Sequence, residues 1–333
     1  MELLLAILLI GGALVGTWAA TGALLRLLRA RAILDHPNAR SSHATPTPRG
    51  GGLAVMAVTF ACWAAAWALG AVPGTTIGPL IGLALGLAMV SWADDLRGLG
   101  PLPRLAAQAA AVAVALAVLP LELSFIGVID PVIVIGGVGL AWLWFVNLFN
   151  FMDGIDGLAS VECATVAGGA ALVALVGGIG DGTPLLAAIL AASALGFLVW
   201  NWHPAKLFLG DVGSVPMGFL LGWLLLTLAA HGDWAAAVIL PGYFLVDASV
   251  TLARRGFRGE AVWRAHHEHF YQQAVQAGAS HATVSSAVLV TNLALVGCAL
   301  LSLGGPTRQA IMAACALVIV GVLLWYLRRA DAA

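Results

Sequence analysis

Asn147-Leu148-Phe149-Asn150-Phe151-Met152-Asp153-Gly154-Ile155-Asp156-Gly157 sets two amides and two carboxylates between two long apolar runs. A charge held at bilayer depth costs on the order of 3 kcal/mol on insertion scales, so acids at the ends of apolar runs need a reason to be there. Read as helix, Asn147, Asn150 and Asp153 recur at a spacing of three and share a face, with Asp156 one turn further on. That face presents four oxygen-rich groups to one ligand.

Outward from this stretch the chain is strongly apolar: of its 333 residues 61% are hydrophobic and 9% charged, and the mean hydropathy is +0.99. A soluble core cannot hide that much apolar surface, which places the chain in the polytopic membrane class. Cys62, Cys163, Cys298 and Cys315 lie inside apolar runs without CxxC spacing, so they suggest neither disulfides nor a zinc site. The first run, from Glu2 to about Leu25, lacks a basic leader and is followed by Arg26, Arg29 and Arg31. A retained span fits it better than a cleaved signal.

A spanning helix needs about 20 apolar residues. Runs near 2–25, 51–70, 76–93, 104–120, 131–149, 157–179, 184–202, 215–230, 234–253, 282–304 and 309–327 predict an all-α membrane protein of about eleven transmembrane helices. With the N-terminus outside and the C-terminus cytoplasmic, fourteen of the fifteen Lys and Arg residues fall inside, Arg308 being the exception. Residues 1–333 form one membrane domain, since no loop is long enough to hold a separate soluble one. The 121–130 connection is long enough for a small hairpin.

The inner connections hold nearly every unusual residue. The first, Asp35 to Gly52, has prolines that forbid a regular helix, then Arg49 and three glycines whose N–H groups could approach a phosphate. The third span ends in Asp94-Asp95-Leu96-Arg97, adjacent carboxylates that need a cation or Arg97 to offset them. In Phe208-Leu209-Gly210-Asp211-Val212-Gly213-Ser214, glycines flank an acid on a tight turn, the oxygen environment Mg²⁺ requires, and Phe208 could stack on a base. Arg254 to Tyr271 combines Arg254, Arg255, Arg258 and Arg264 with His266, His267 and His269. HExxH fails because position 271 is Tyr, so zinc is disfavoured and an anionic headgroup or pyrophosphate fits better. Asp247 and Glu162 lie within spans, where each is expected to pair inside the bundle or near the inner mouth.

In order along residues 35 to 271, these motifs together resemble the polyprenyl-phosphate N-acetylhexosamine-1-phosphate transferases, glycosyltransferase family 4. That family includes the peptidoglycan translocase and the initiators of O-antigen and teichoic-acid synthesis. The resemblance rests on Thr45-Pro46-Thr47 with Gly50-Gly51, Asp94-Asp95, Asn147 to Leu158, Gly210 to Ser214, Pro241 with Asp247, and His266 to His269. It implies a Mg²⁺ ligand at Asp211, joined by Asn150, with Mn²⁺ as an expected substitute. It implies catalytic carboxylates at Asp94, Asp95 and Asp153, and pyrophosphate donors among His266, His267 and His269. Asn147, Asn150, Asp156, Phe208, Arg49 and Arg264 are the substrate-binding residues it implies.

The implied reaction moves a sugar 1-phosphate from a UDP-N-acetylhexosamine to undecaprenyl phosphate and releases UMP, initiating a cell-surface glycan such as O-antigen at the bacterial inner membrane. The His-His-Glu-His order and the Arg97-Gly98 that follows the acid pair depart from the common pattern. Both look more like O-antigen initiators that use modified hexosamines, 6-deoxy forms among them. No nucleic acid is implied as a partner, and a homodimer rests on analogy alone.

A phosphomonoester has its second pKa near 6, so the lipid phosphate needs little deprotonation and charge neutralisation is the harder task. Asp94 or Asp95 is therefore expected chiefly to place the metal or orient the nucleophile. Direct attack and a covalent aspartyl-phosphate both remain open. The main rival reading is a transporter or flippase for a lipid-linked or anionic substrate, which predicts inverted repeats and broken helices; neither is visible in the sequence. A scaffold that binds anionic lipid through the Arg254 to Arg264 stretch leaves the four inner acids unexplained.

Overall fold

The computed structural model describes residues 2–35, 45–119, 121, 130–260 and 266–329. Its helices are α1 (Glu2–Ala30), α2 (Gly52–Ala68), α3 (Gly74–Arg97), α4 (Pro101–Val118), α5 (Pro131–Phe151), α6 (Leu158–Val176), α7 (Thr183–Asn201), α8 (Asp211–Ala230), α9 (Trp234–Ile239), α10 (Gly242–Phe257), α11 (Phe270–Gln276), α12 (His281–Ser302) and α13 (Pro306–Arg329). Two short strands, β1 (Leu34–Asp35) and β2 (Thr47–Pro48), pair antiparallel with Leu34 opposite Pro48. The protein is thus an all-α, multi-pass membrane protein. Among the described residues nine helices are long and apolar enough to cross a bilayer, and α2, at 17 residues, is a shorter apolar helix.

The ninth expected span is the one that changes. Instead of one helix over 234–253, α9 stops at Ile239 and α10 begins at Gly242. Pro241 lies at the break, where it has no N–H to give and its ring disfavours a continuous helix. The break frees α10 to carry Asp247 toward the histidine segment. Punctuation elsewhere is local: Gly98 takes a left-handed φ of 67° to end α3, Asp130 Oδ1 accepts the Val132 amide at 2.8 Å ahead of Pro131, and Ser280 caps α12. The expected 121–130 hairpin lies almost wholly outside the described residues.

α8 is the axis of the bundle. Every residue from Val212 to Leu225 is buried, and the helix packs against α2, α3, α5, α6 and α9. Where Gly222 has no side chain, the Trp142 ring of α5 moves in, stacks on Phe219 at 4.9 Å and donates its indole N–H to the Phe219 carbonyl at 3.0 Å. Trp63 likewise donates to the Leu186 carbonyl at 3.1 Å, which leaves neither indole unpaired in a medium without water.

The outer helices show the opposite pattern. Leu3, Leu4, Ile7 and Leu8 of α1, and Leu317, Val318, Val322 and Trp325 of α13, are exposed. So much outward apolar surface is stable only where the solvent is lipid.

Candidate active site

Four connections expected to share one side of the membrane do meet at one end of the bundle. Asp94 and Asp95 come from the last turn of α3, Asn150 from the last turn of α5, and Asp211 from the first residue of α8. At their centre lies Arg104, one turn into α4. Its Nη1 is 2.8 Å from Asp94 Oδ2, and its Nη2 is 3.2 Å from Asp211 Oδ2 and 3.4 Å from Asn150 Oδ1. Sequence reasoning passed over Arg104 as the basic residue that opens a span; its one visible signal was its closeness to Asp94-Asp95.

Asp95 is held from the other side. Arg49 Nε lies 3.4 Å from its Oδ1, and the Arg49 Nη2 donates to the Asp95 carbonyl at 2.6 Å. Both Asp95 oxygens also cap α8, accepting the Asp211 amide at 3.3 Å and the Val212 amide at 3.1 Å. First-turn amides have no partner within their own helix, so a carboxylate there satisfies them and meets the positive end of the helix dipole. Gly210, at φ 76°, is required: a Cβ there would stand 2.9 Å from Asp95 Oδ2.

The glycine stretch does something other than expected. The amides of Gly50 and Gly51 donate to the Phe208 carbonyl at 3.1 and 2.8 Å, and that of Gly52 to the Leu209 carbonyl at 2.9 Å. With Phe208 N donating to the Pro48 carbonyl at 2.9 Å, the first inner loop is zipped onto the loop before α8. These N–H groups are spent on backbone, so they form no phosphate nest. Glycine serves close approach instead, since a Cβ on Gly52 would lie 2.1 Å from Gly213 Cα. The zipper sets half-buried Phe208 beside Arg49 at the rim.

The opening stretch is also corrected. α5 ends at Phe151, so the four polar residues do not line one helical face. Asn147 donates to the Leu143 carbonyl one turn back at 2.8 Å, whereas Asn150 donates to Ser214 Oγ at 2.8 Å and so belongs to the acid cluster. Asp153 is half-buried on the turn after α5, and its carboxyl is pushed up to about 8 by burial and then by the charges of Asp211, Asp95 and Asp156.

Asp156 turns to imidazoles. Its Oδ2 lies 2.7 Å from His203 Nδ1 and 3.3 Å from His281 Nδ1, and accepts the Ala205 amide at 3.1 Å. Burial alone would raise this carboxyl, but the hydrogen bonds from His281, His203 and Ala205 hold it below the usual carboxylate range. Asn201 ties the same turn to the 202–210 loop, its Oδ1 accepting from Gly157 N at 3.1 Å and Ser160 Oγ at 2.9 Å while its Nδ2 donates to the Leu207 carbonyl. His203, His281 and Asn201 carried no role in the sequence reading, because nothing in their spacing links α12 to this turn.

The histidine segment joins through Asp247. This fully buried carboxylate accepts from His269 Nδ1 and the Phe270 amide, both at 3.1 Å, from Tyr243 Oη at 3.2 Å and from Thr251 Oγ1 at 3.3 Å. Asp247 thus pairs inside the bundle as expected. With Nδ1 as donor, His269 keeps a lone pair on Nε2. His266 accepts the Glu268 amide on Nδ1 at 3.3 Å, and burial, then His269 and Arg255, lower its pKa to about 4. It is a neutral ring with a proton on Nε2. The Nε2 of His267 is buried without a hydrogen-bond partner among the described residues. Tyr271 closes the assembly by donating to the Phe151 carbonyl at 3.2 Å, its hydroxyl filling the space that Gly154 leaves. Glu260 and Glu268 both pair with Arg255 and Arg258. Arg264 lies outside the described residues.

The second buried acid is Glu162 of α6, which accepts from Asn292 Nδ2 at 2.7 Å, well inside the bundle and apart from the cluster.

Comparison with known proteins gives the family. Residues 77–229 match the model of glycosyl transferase family 4. The chain is 30% identical, over 80% of its length and 74% of the relative's, to the decaprenyl-phosphate N-acetylglucosaminephosphotransferase of Mycolicibacterium smegmatis. It is 29% identical, over 95% of its own length and 87% of the other's, to the protein of the same name in Mycobacterium tuberculosis. A phospho-N-acetylmuramoyl-pentapeptide-transferase of Streptococcus pneumoniae is 37% identical over a shorter stretch, 39% of this chain and 41% of that one. With these relatives, the multi-pass bundle is a member of a membrane phosphotransferase family. The chain belongs to glycosyl transferase family 4, the polyprenyl-phosphate sugar-phosphate transferases.

Proposed function

We propose that the protein transfers an N-acetylhexosamine 1-phosphate from a UDP-sugar to a polyprenyl phosphate on the cytoplasmic face of a bacterial inner membrane, giving a polyprenyl-diphospho-sugar and UMP. The observation that carries the reading is the convergence of Asp94, Asp95, Asn150 and Asp211 on Arg49 and Arg104. The orientation is supported by the charge count, which favours the Lys- and Arg-rich connections inside.

The cluster sets the carboxylates of Asp94, Asp95 and Asp211 against the two guanidiniums of Arg49 and Arg104, with Asp153 as a protonated acid beside them, so the negative charge is not fully offset at a site that must receive two phosphate groups. Such an all-oxygen donor set fits Mg²⁺. Asp211, whose side chain is 27% exposed, and Asn150 Oδ1 are the residues that would hold it. When bound, the ion supplies charge neutralisation at the pyrophosphate.

The chain's own groups do the rest. A phosphate oxygen of the lipid attacks the sugar-bearing phosphorus; the new P–O bond forms as the bond to the UMP phosphate breaks, and the electron pair leaves with UMP. Asp94 and Asp95, 8% and 3% exposed, are spent on Arg104 and on the α8 amides, so they act by fixing Arg104 and Asp211. Arg49 and Phe208 stand together where the nucleotide end would lie. His266, a donor through Nε2, and His267 are the groups proposed to bond the pyrophosphate.

N-Acetylglucosamine is the first sugar to test, because it is the one in the names of the mycobacterial relatives. An O-antigen-type glycan and undecaprenyl phosphate remain part of the proposal. Purified protein in detergent, given UDP-GlcNAc or a 6-deoxy-hexosamine UDP-sugar with undecaprenyl or decaprenyl phosphate, should release UMP only with lipid phosphate and Mg²⁺ present. Failure of every combination would overturn the reading. UMP–UDP-sugar exchange without lipid would favour a covalent route over direct attack.

A further inference from the structure

Apart from the acid cluster, the described residues contain one group of ligating side chains arranged as a metal site: Asp156, His203 and His281, whose ligand atoms all lie within 4.8 Å of one another. They come from three separate segments, the turn after α5, the loop after α7 and the first residue of α12. All three present their atoms to one point. His203 Nδ1 is 2.7 Å and His281 Nδ1 3.3 Å from the same oxygen, Asp156 Oδ2.

The contacts of His281 make a hydrogen-bonded explanation incomplete. Its Nδ1 also lies 3.4 Å from the Asp156 amide nitrogen. As a donor Nδ1 faces an N–H, and as an acceptor it faces a carboxylate lone pair, so each tautomer leaves one mismatched contact. A cation bound by Nδ1 and Oδ2 turns the lone-pair clash at 3.3 Å into two ligand bonds and gives up only the long 3.4 Å amide contact. Asp156 and His281 are buried, at 7% exposure each, whereas the His203 side chain is 38% exposed and gives the point an opening to solvent.

We propose that Asp156, His203 and His281 form a second cation site, of the zinc class, that pins the Asp153 turn and the loop leading to Asp211 against the start of α12. Two imidazoles and one carboxylate with an open fourth position suit Zn²⁺, whereas Mg²⁺ prefers six oxygens. Tetrahedral Zn²⁺ with bonds of about 2.0–2.2 Å sets its ligand atoms roughly 3.3–3.5 Å apart. The His281 pair already meets that spacing. The His203 pair opens to it by a small shift of an exposed loop side chain. The backbone around the site is braced, with Ser285 Oγ donating to the Asp156 carbonyl at 2.8 Å. This inference does not depend on which sugar or lipid the enzyme uses.

The test is a Zn²⁺ titration of full-length, chelator-stripped protein in detergent, followed by metal analysis and by Co²⁺ absorption. One Zn²⁺ per chain is expected, with intense four-coordinate Co²⁺ bands and no competition from millimolar Mg²⁺. H203Q and H281Q should each weaken binding at least 10-fold, while H231Q, at an imidazole bonded to the Thr227 carbonyl, should leave it unchanged. Should H281Q fail to fold, H203Q decides. Unchanged zinc binding in H203Q, or no binding at micromolar metal, overturns the proposal.

Discussion

Arg104 Nη2 lies 3.2 Å from Asp211 Oδ2, and this contact joins the start of α4 to the start of α8 across the acid cluster. Through its other nitrogen Arg104 holds Asp94, so one planar fork bridges two carboxylates that would otherwise repel. Arg104→Ala should lower kcat/KM about 100-fold or more, in the range found when one preorganised electrostatic group is removed. Arg104→Lys, a point charge that cannot bridge, should recover only part of it. Steady-state UMP release across a Mg²⁺ series checks both. Full activity of Arg104→Ala at ordinary Mg²⁺ would remove the residue from the mechanism.

Asp153 gives the site a pH signature. Because its carboxyl is pushed up to about 8, the folded chain keeps a proton that the unfolded chain releases near 4. Between those values the folded state binds more protons, so this group's contribution to stability declines as pH rises from about 4 and is lost once pH passes about 8. Thermal unfolding from pH 5 to 9 should show that decline in the wild type and not in Asp153→Asn. Saturating Mg²⁺ should move the midpoint down, since a nearby cation favours the carboxylate. A midpoint that ignores Mg²⁺ would separate Asp153 from the metal.

Asp247 fixes the tautomer of His269. Asp247→Ala strands the imidazole and the Phe270 amide in a buried place and should cost about 3–5 kcal/mol of stability. Asp247→Asn keeps the shape but not the charge, so it should fold while losing at least about 10-fold in kcat. Unfolding curves and rates measured on the same preparations separate the two effects.

Gly52→Ala sets a methyl group 2.1 Å from Gly213 Cα, a backbone atom that cannot rotate away. The zipper between the first inner loop and the loop before α8 should then shift, at a cost of about 1–3 kcal/mol. Because that zipper seats Arg49 beside Asp95, activity should fall with stability. Gly78→Ala, where a Cβ meets nothing within 4 Å, is the control expected to change little.

The bundle itself was legible in the sequence, because a bilayer solvent forces apolar runs near 20 residues and backbone satisfaction within each helix. Among the described residues each expected run holds helix, nine of the helices are long enough to span, and the run over 234–253 breaks at Pro241. The sequence also put the right motifs at one end, although the face drawn from Asn147 to Asp156 failed because α5 stops at Phe151. Asn201, His203 and His281 were invisible for a different reason, and Arg104 showed only its closeness to Asp94-Asp95. Apart from the Asn201–Leu207 bond their partners lie between 10 and 125 residues away, and no local period encodes which helix ends become neighbours. The glycines were read for reach toward a ligand, whereas the packing of one loop on another consumed their amides.

The enclosure of α8 has a consequence for how the enzyme meets its surroundings. From Val212 to Leu225 the helix that carries Asp211 has no face open to acyl chains, while α1 and α13 bear the apolar rim. A bilayer thicker or thinner than the protein's own belt therefore strains the rim by tilt and leaves the central strut upright. Turnover should accordingly vary little between vesicles of shorter and longer phospholipid tails, even where the outermost helices adjust their angle.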